Sequence, residues 1–196
     1  MSTIIQVLEI VPRKFPVVYP LVESWLLFDK QTCSVCSRFT SDPKPGEAVE
    51  PLRLVSKKKC LIMHCSSIMS LMVLSSELHE YLYQYAEPFF VFGKVHSMEG
   101  PDVECVYWRC IQRDLLYPVP VDPHLDAPEP CSGCGQLKVL NVQSYKVQRE
   151  LYERSMGMLG DRSGRLFLDA NKMDVDKMIN KYKAALSFYK WNIEVY

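Results

Sequence analysis

The sequence predicts an α+β fold, mainly antiparallel β-sheet with covering helices. Three observations predict it. Most of the 196 residues fall into short β-branched and aromatic runs punctuated by Pro and Gly. Two segments carry apolar residues at helical spacing behind a polar cap. Two Cys-x-x-Cys pairs, Cys33/Cys36 and Cys131/Cys134, stand 94 residues apart.

The elements follow in order. "IIQVLEIV" and then "VVYPLVESWLLF" read as strands, with Pro12, Pro16 and Pro20 between and within them. The first cysteine pair comes next, in "TCSVCS". "SDPKPGEAVEP" is a polar, proline-rich loop, and the piece before it is too short to fold alone. From Leu52 the runs "LRLV", "CLIM" and "SLMVL" read as strands. Leu78, Tyr81, Leu82 and Tyr85 then lie at i, i+3, i+4 and i+7, the stripe of a helix capped by Ser75 or Ser76, with Glu77 near its positive end.

After Pro88, "FFVFGKV" and "VECVYWRCIQ" predict two strands joined by "SMEGPD". "YPVPVDPHLDAPEP" predicts an extended loop over the surface, because its prolines exclude a helix. The second cysteine pair follows, in "PCSGCG". "GQLKVLNV" reads as a strand, "YKVQRELYERS" as a helix and "GDRSGRLFLD" as a turn and strand. Val175, Met178, Ile179, Tyr182 and Leu186 mark a second amphipathic helix, capped by Asp169 or Asn171, and "KWNIEVY" closes as a strand. The two strand–cap–helix–strand segments echo each other. They are either a duplicated unit or the common outcome of a sheet with covering helices.

The chain is read as one domain over 1–196, with 38–128 a β-rich insert between the cysteine pairs. Lys and Arg number 23 against 23 Asp and Glu, so the net charge is zero. That balance argues against a dedicated nucleic-acid binder. The one dense basic run, Lys57–Lys59, reads as a solvated edge. No run of apolar residues is long enough for a membrane helix, and "MSTIIQVLEIVPRKF" lacks the pattern of a secretory leader. A cytoplasmic location is expected, which keeps cysteines reduced and favours metal ligation over disulfides.

Four thiolates complete the tetrahedral shell of a zinc ion. Cys33, Cys36, Cys131 and Cys134 are therefore expected to hold one structural Zn²⁺ in a split, zinc-ribbon-like pair of knuckles. Gly135 suits the left-handed turn after the second pair; Ser37 stands at the matching place after the first. Ordinary ribbons separate their pairs by about 15–20 residues, so a folded segment would have to leave and return at neighbouring positions. The alternative is two unrelated surface turns. A thioredoxin-like redox pair fits poorly with the proline-rich approach and Gly135. Cys60, Cys65, Cys105 and Cys110 read as core, and His64 or Cys65 as a substitute ligand is the minor alternative.

"PCSGC" matches half of a zinc deaminase signature, but none of the four histidines has Glu two residues on. No phosphate-binding glycine loop or nucleophile elbow is present. Nothing in the sequence argues for catalysis.

The early Cys-x-x-Cys, the later "CSGCG" and the closing "GRLFLDANKMDVDKMINKY…NIEVY" together resemble the double-CxxCG motif proteins, a bacterial family found as paralogues in myxobacteria and associated with immunity to toxins exchanged between neighbouring cells. The resemblance implies a non-enzymatic, antitoxin-like protein that binds and neutralises a cognate toxin. Tyr83, on the polar side of its helix, and the acidic loop "DPHLDAPE" are candidate contacts, although the loop reads more readily as a solvated connector. The competing function is a zinc ribbon acting on nucleic acid or in a transcription complex.

Overall fold

Strand β1 (Thr3–Pro12) forms where the sequence predicts a strand, and its Ile5, Val7 and Ile10 are buried. The computed structural model describes residues 2–14, 17–20, 28, 30–36, 38, 40, 52–55, 61–65, 72–97, 105–110, 115–122, 124, 129–138, 141–161 and 164–196, with backbone alone at 17–20, 54–55, 64–65, 97, 105–110 and 137–138. The loop "SDPKPGEAVEP", the lysines at 57–59 and the strand reading of 21–27 lie outside the described residues.

After β1 come β2 (Val17–Pro20), β3 (Leu52–Val55), β4 (Ile62–Cys65), β5 (Met72–Ser75), α1 (Ser76–Tyr83), β6 (Phe90–Ser97) and β7 (Cys105–Cys110). The second half holds β8 (Tyr117–Pro120), β9 (Glu129–Pro130), β10 (Leu137–Lys138), β11 (Val142–Val147) and α2 (Arg149–Arg154). It ends with β12 (Met158–Gly160), β13 (Leu166–Asp169), α3 (Val175–Tyr182) and β14 (Leu186–Val195).

The strands form a six-stranded sheet in the order β12-β13-β1-β14-β11-β8, a closed barrel in the order β2-β3-β6-β7-β5-β4, and the small β9–β10 ribbon. The fold is thus mixed α+β and mainly β-sheet, with few helices. Among the described pairings, β11·β14, β2·β4 and β3·β6 are parallel and the others antiparallel. Residues 38–128 hold β3 to β7. β2, from before the first knuckle, closes their barrel between β3 and β4, while β8 joins the large sheet.

Ser75 caps α1, its hydroxyl accepting from the Leu78 amide at 3.3 Å, as expected. The cap of α3 is Asp174, which accepts from the Lys177 amide at 3.1 Å, rather than Asp169 or Asn171. Asp169 is fully buried at the end of β13 and shapes the turn instead, accepting from the Asn171 amide at 2.9 Å and the Tyr152 hydroxyl at 2.8 Å. The helix read in "YKVQRELYERS" starts at Arg149, because Tyr145–Val147 pair in register with Ile193–Val195.

Each echoing segment places its helix between two strands that flank a third. β7 lies antiparallel between β5 and β6, and β1 lies antiparallel between β13 and β14. The two helices touch: Lys181 Nζ is 2.8 Å from Glu77 Oε1, and the Tyr81 hydroxyl donates to the Asp174 carbonyl. Leu78 and Leu82 of α1 and Met178 and Tyr182 of α3 enter one hydrophobic cluster with Ile62, Leu74 and Phe90 of the barrel and Val7, Leu168 and Ile193 of the sheet. Burying each such side chain contributes about 1.5–3 kcal/mol, which ties barrel and sheet into one core.

The sequence predicts a loop for the proline-rich run, yet Tyr117–Pro120 pair with β11 as the edge of the large sheet. The Val121 amide donates inward to the Asn141 carbonyl at 3.0 Å. Backbone groups alternate sides along a strand, so Pro118 and Pro120 take the outward positions, where no donor is needed. Among the described residues no helix is long and apolar enough to cross a membrane.

Candidate metal centre

The two knuckles share one hydrogen bond across the turn. In the first, the Thr40 amide donates to the Gln31 carbonyl and the Cys33 amide to the Arg38 carbonyl, each at 2.8 Å. In the second, β9 and β10 pair Pro130 with Leu137, and the Cys131 amide donates to the Gln136 carbonyl at 2.9 Å. In each hairpin the first cysteine's amide thus bonds the carbonyl five residues on. The turn between curls the second cysteine back beside the first.

The hairpins face each other in matched register. Cys33 Sγ lies 3.8 Å from Cys131 Sγ, and Cys36 Sγ lies 3.6 Å from Cys134 Sγ. All four sulfurs are within 4.8 Å of one another. A tetrahedral ion with metal–sulfur bonds of about 2.3 Å has sulfur–sulfur edges of about 3.8 Å, so the described cluster is close to the size a single ion requires. Cys33 and Cys131 are buried, and Cys36 and Cys134 are half-buried. The four predicted ligands are therefore brought together, and the reading of two unrelated turns is not what the geometry shows.

Two glycines make the approach possible for different reasons. A Cβ at Gly133 would lie 2.8 Å from Cys33 Sγ and 2.9 Å from Val35 Cγ2, so only glycine lets the second hairpin close on the first. Gly135 has open space around it but takes φ +71°, the left-handed conformation expected from the sequence.

Backbone amides favour the thiolate form that ligates a metal. The Gly133 amide, joined by that of Cys134, holds the Cys131 thiol down to about 6. The Val35 amide, whose nitrogen is 3.4 Å from Cys33 Sγ, and that of Cys36 lower Cys33. Burial, followed by the neighbouring sulfurs, pushes Cys36 up to about 12. Four sulfurs this close repel once ionised, and a cation among them reverses that repulsion.

Cys60 lies outside the described residues. His64 and Cys65 lie in β4, and Cys105 and Cys110 at the two ends of β7, with backbone alone described. Tyr83 is 56% exposed, with its ring 5.9 Å from that of Phe92. Of the acidic loop, Asp122 is seen to accept from the His124 amide at 2.8 Å.

One charged cluster has no local signal in the sequence. Trp191 Nε1 donates to Glu9 Oε2 at 2.7 Å, and Arg165 Nε lies 3.7 Å from Glu9 Oε1. Arg165 Nη1 also donates to the Tyr145 hydroxyl, which donates on to Asp161, each at 3.2 Å. Its members come from four distant segments, and only strand register unites them. Tyr145 and Phe167 pack edge-on at 5.1 Å, so side chains of the cluster and its neighbours fill the space themselves.

Comparison of the chain with protein-family models and with curated proteins finds no match.

Proposed function

We propose that Cys33, Cys36, Cys131 and Cys134 bind one Zn²⁺ as a closed structural site, and that the protein acts by binding a partner rather than by catalysis. The observation that carries this reading is the convergence of four sulfurs within 4.8 Å from two separate hairpins. An all-thiolate tetrahedral set suits zinc or an iron centre. Four protein ligands leave no position open for substrate, which makes the site a staple and not a reaction centre. The sequence resemblance supplies the partner class. The protein is read as a cytoplasmic immunity protein whose partner is a cognate bacterial toxin. Zero net charge supports a protein partner over nucleic acid.

Elemental analysis of chelator-free protein tests the metal, with one zinc per chain expected and near-stoichiometric loss in Cys131→Ser. A visible thiolate-to-iron absorption band would replace zinc by iron, and metal-free wild type would remove the site. Expressing the neighbouring open reading frame with and without this chain tests the immunity reading. Growth arrest relieved on co-expression, with a complex recovered, is expected; arrest that persists sinks it.

A further inference from the structure

A second feature lies on the large sheet, at the flank of α3. A groove of about 660 Å³ runs between this helix and strands β1 and β14. Its floor is apolar and half-buried: Leu8, Ile179 and Phe188. Three cations, Arg13, Lys183 and Lys190, stand around it. Among the described residues none of the three pairs with a carboxylate; Arg13 Nε donates to the Leu186 carbonyl at 3.3 Å. The one acid, Asp176, lies in the first turn of α3, while Lys183 caps its other end. The groove is thus polarised along the helix, with excess positive charge.

We propose that this groove binds an acidic peptide segment of a protein partner. The segment would set carboxylates against Lys183, Lys190 and Arg13, press one apolar side chain onto Leu8, Ile179 and Phe188, and point an amide donor at Asp176. α3 has eight residues and offers about 12 Å of groove, room for about four extended residues. The volume is in the range of pockets that hold ligands of that size. A nucleic acid fits less well. The groove carries an acid, Asp176, that repels phosphate. Zero net charge makes this a local cationic site on a neutral protein, suited to steering one acidic segment. The proposal does not depend on the partner being a toxin.

Fluorescence anisotropy with metal-loaded full-length protein tests it. The probes are labelled pentapeptides with Glu or Asp on both sides of a central Leu or Phe, their Lys-substituted counterparts, and a five-nucleotide single-stranded DNA. The acidic peptides are expected to bind, to weaken with added salt, and to lose about tenfold or more in affinity in the Lys183→Glu/Lys190→Glu variant. Both lysines are exposed, so the variant should melt and hold metal as wild type does; should it misfold, Lys190→Gln alone must still weaken binding. A separate variant, Ile179→Glu, is expected to abolish the preference for a central apolar residue. The proposal is overturned by acidic peptides that bind no better than basic ones, by affinity unchanged in the lysine variants, or by DNA binding more tightly than peptide and losing affinity in the same variants.

Discussion

Gly133 sits so close to Cys33 that a Cβ on it would lie 2.8 Å from the sulfur. The second hairpin therefore presents bare backbone to a sulfur of the first. A methyl group there would have to push Cys33 away from the other three sulfurs. Gly133→Ala should lower zinc affinity, measured by competition with a chromophoric chelator, and destabilise the protein by about 1–3 kcal/mol. Gly135→Ala is the contrast. It meets no atom within 4 Å but forces a left-handed alanine, so it should cost about 1–2 kcal/mol with a smaller change in zinc affinity. Equal affinity losses in both variants would contradict the contact.

Cys36 and Cys134 stand 3.6 Å apart in one cluster. Each single change to Ser should release the metal, after which the second change has little left to remove. The double variant is therefore expected to be about as unstable as the worse single one, with strong non-additivity in a denaturant-based double-mutant cycle. Simple addition of the two losses would mean that the cysteines serve separate purposes.

Asp174 and Asp169 divide roles that the sequence assigned differently. Asp174→Ala removes an exposed helix cap and should cost about 1 kcal/mol. Asp169→Ala removes a fully buried carboxylate and leaves the half-buried Tyr152 hydroxyl and the Asn171 amide without that acceptor, and should cost about 2–3 kcal/mol. Chemical unfolding of the two variants checks the order, and the reverse order would return the cap to Asp169.

Glu9 has its pKa raised above the usual 4.5, chiefly by burial, with Arg165 and Trp191 offsetting part of that effect. Its ionised form is thus less favoured in the folded than in the unfolded chain. The sign follows: Glu9 contributes stability below pH 4.5, and that contribution is lost as pH rises through the folded-state value. Relative to Glu9→Gln, wild type should gain stability as pH falls from neutral toward 4.5. Melting the pair across that range tests it, and a constant difference would remove the claim.

The cysteine cluster was legible because a Cys-x-x-Cys pair is a local signal. The turn that brings two sulfurs together is written in four consecutive residues, and Gly135 adds its own mark. The helices were legible for the same reason, since Leu78 and Leu82 or Met178 and Tyr182 are one turn apart. The closed barrel was not. Its closure rests on β2 pairing with both β3 and β4 through two register pairs each, partners that no local pattern names. The Glu9–Arg165 cluster was hidden likewise, because Glu9 meets its neighbours only through the register Glu9↔Tyr189 and Glu9↔Phe167. The prolines of β8 misled for a physical reason: they forbid an inner strand, but an edge strand tolerates them on its open side.

Those two prolines also limit how this molecule can join others. With no hydrogen to offer outward at 118 or 120, the border of the sheet gives an incoming chain too few hooks to extend the ladder there. Association by strand addition across that border is blunted, while the opposite border, at β12, carries no such block.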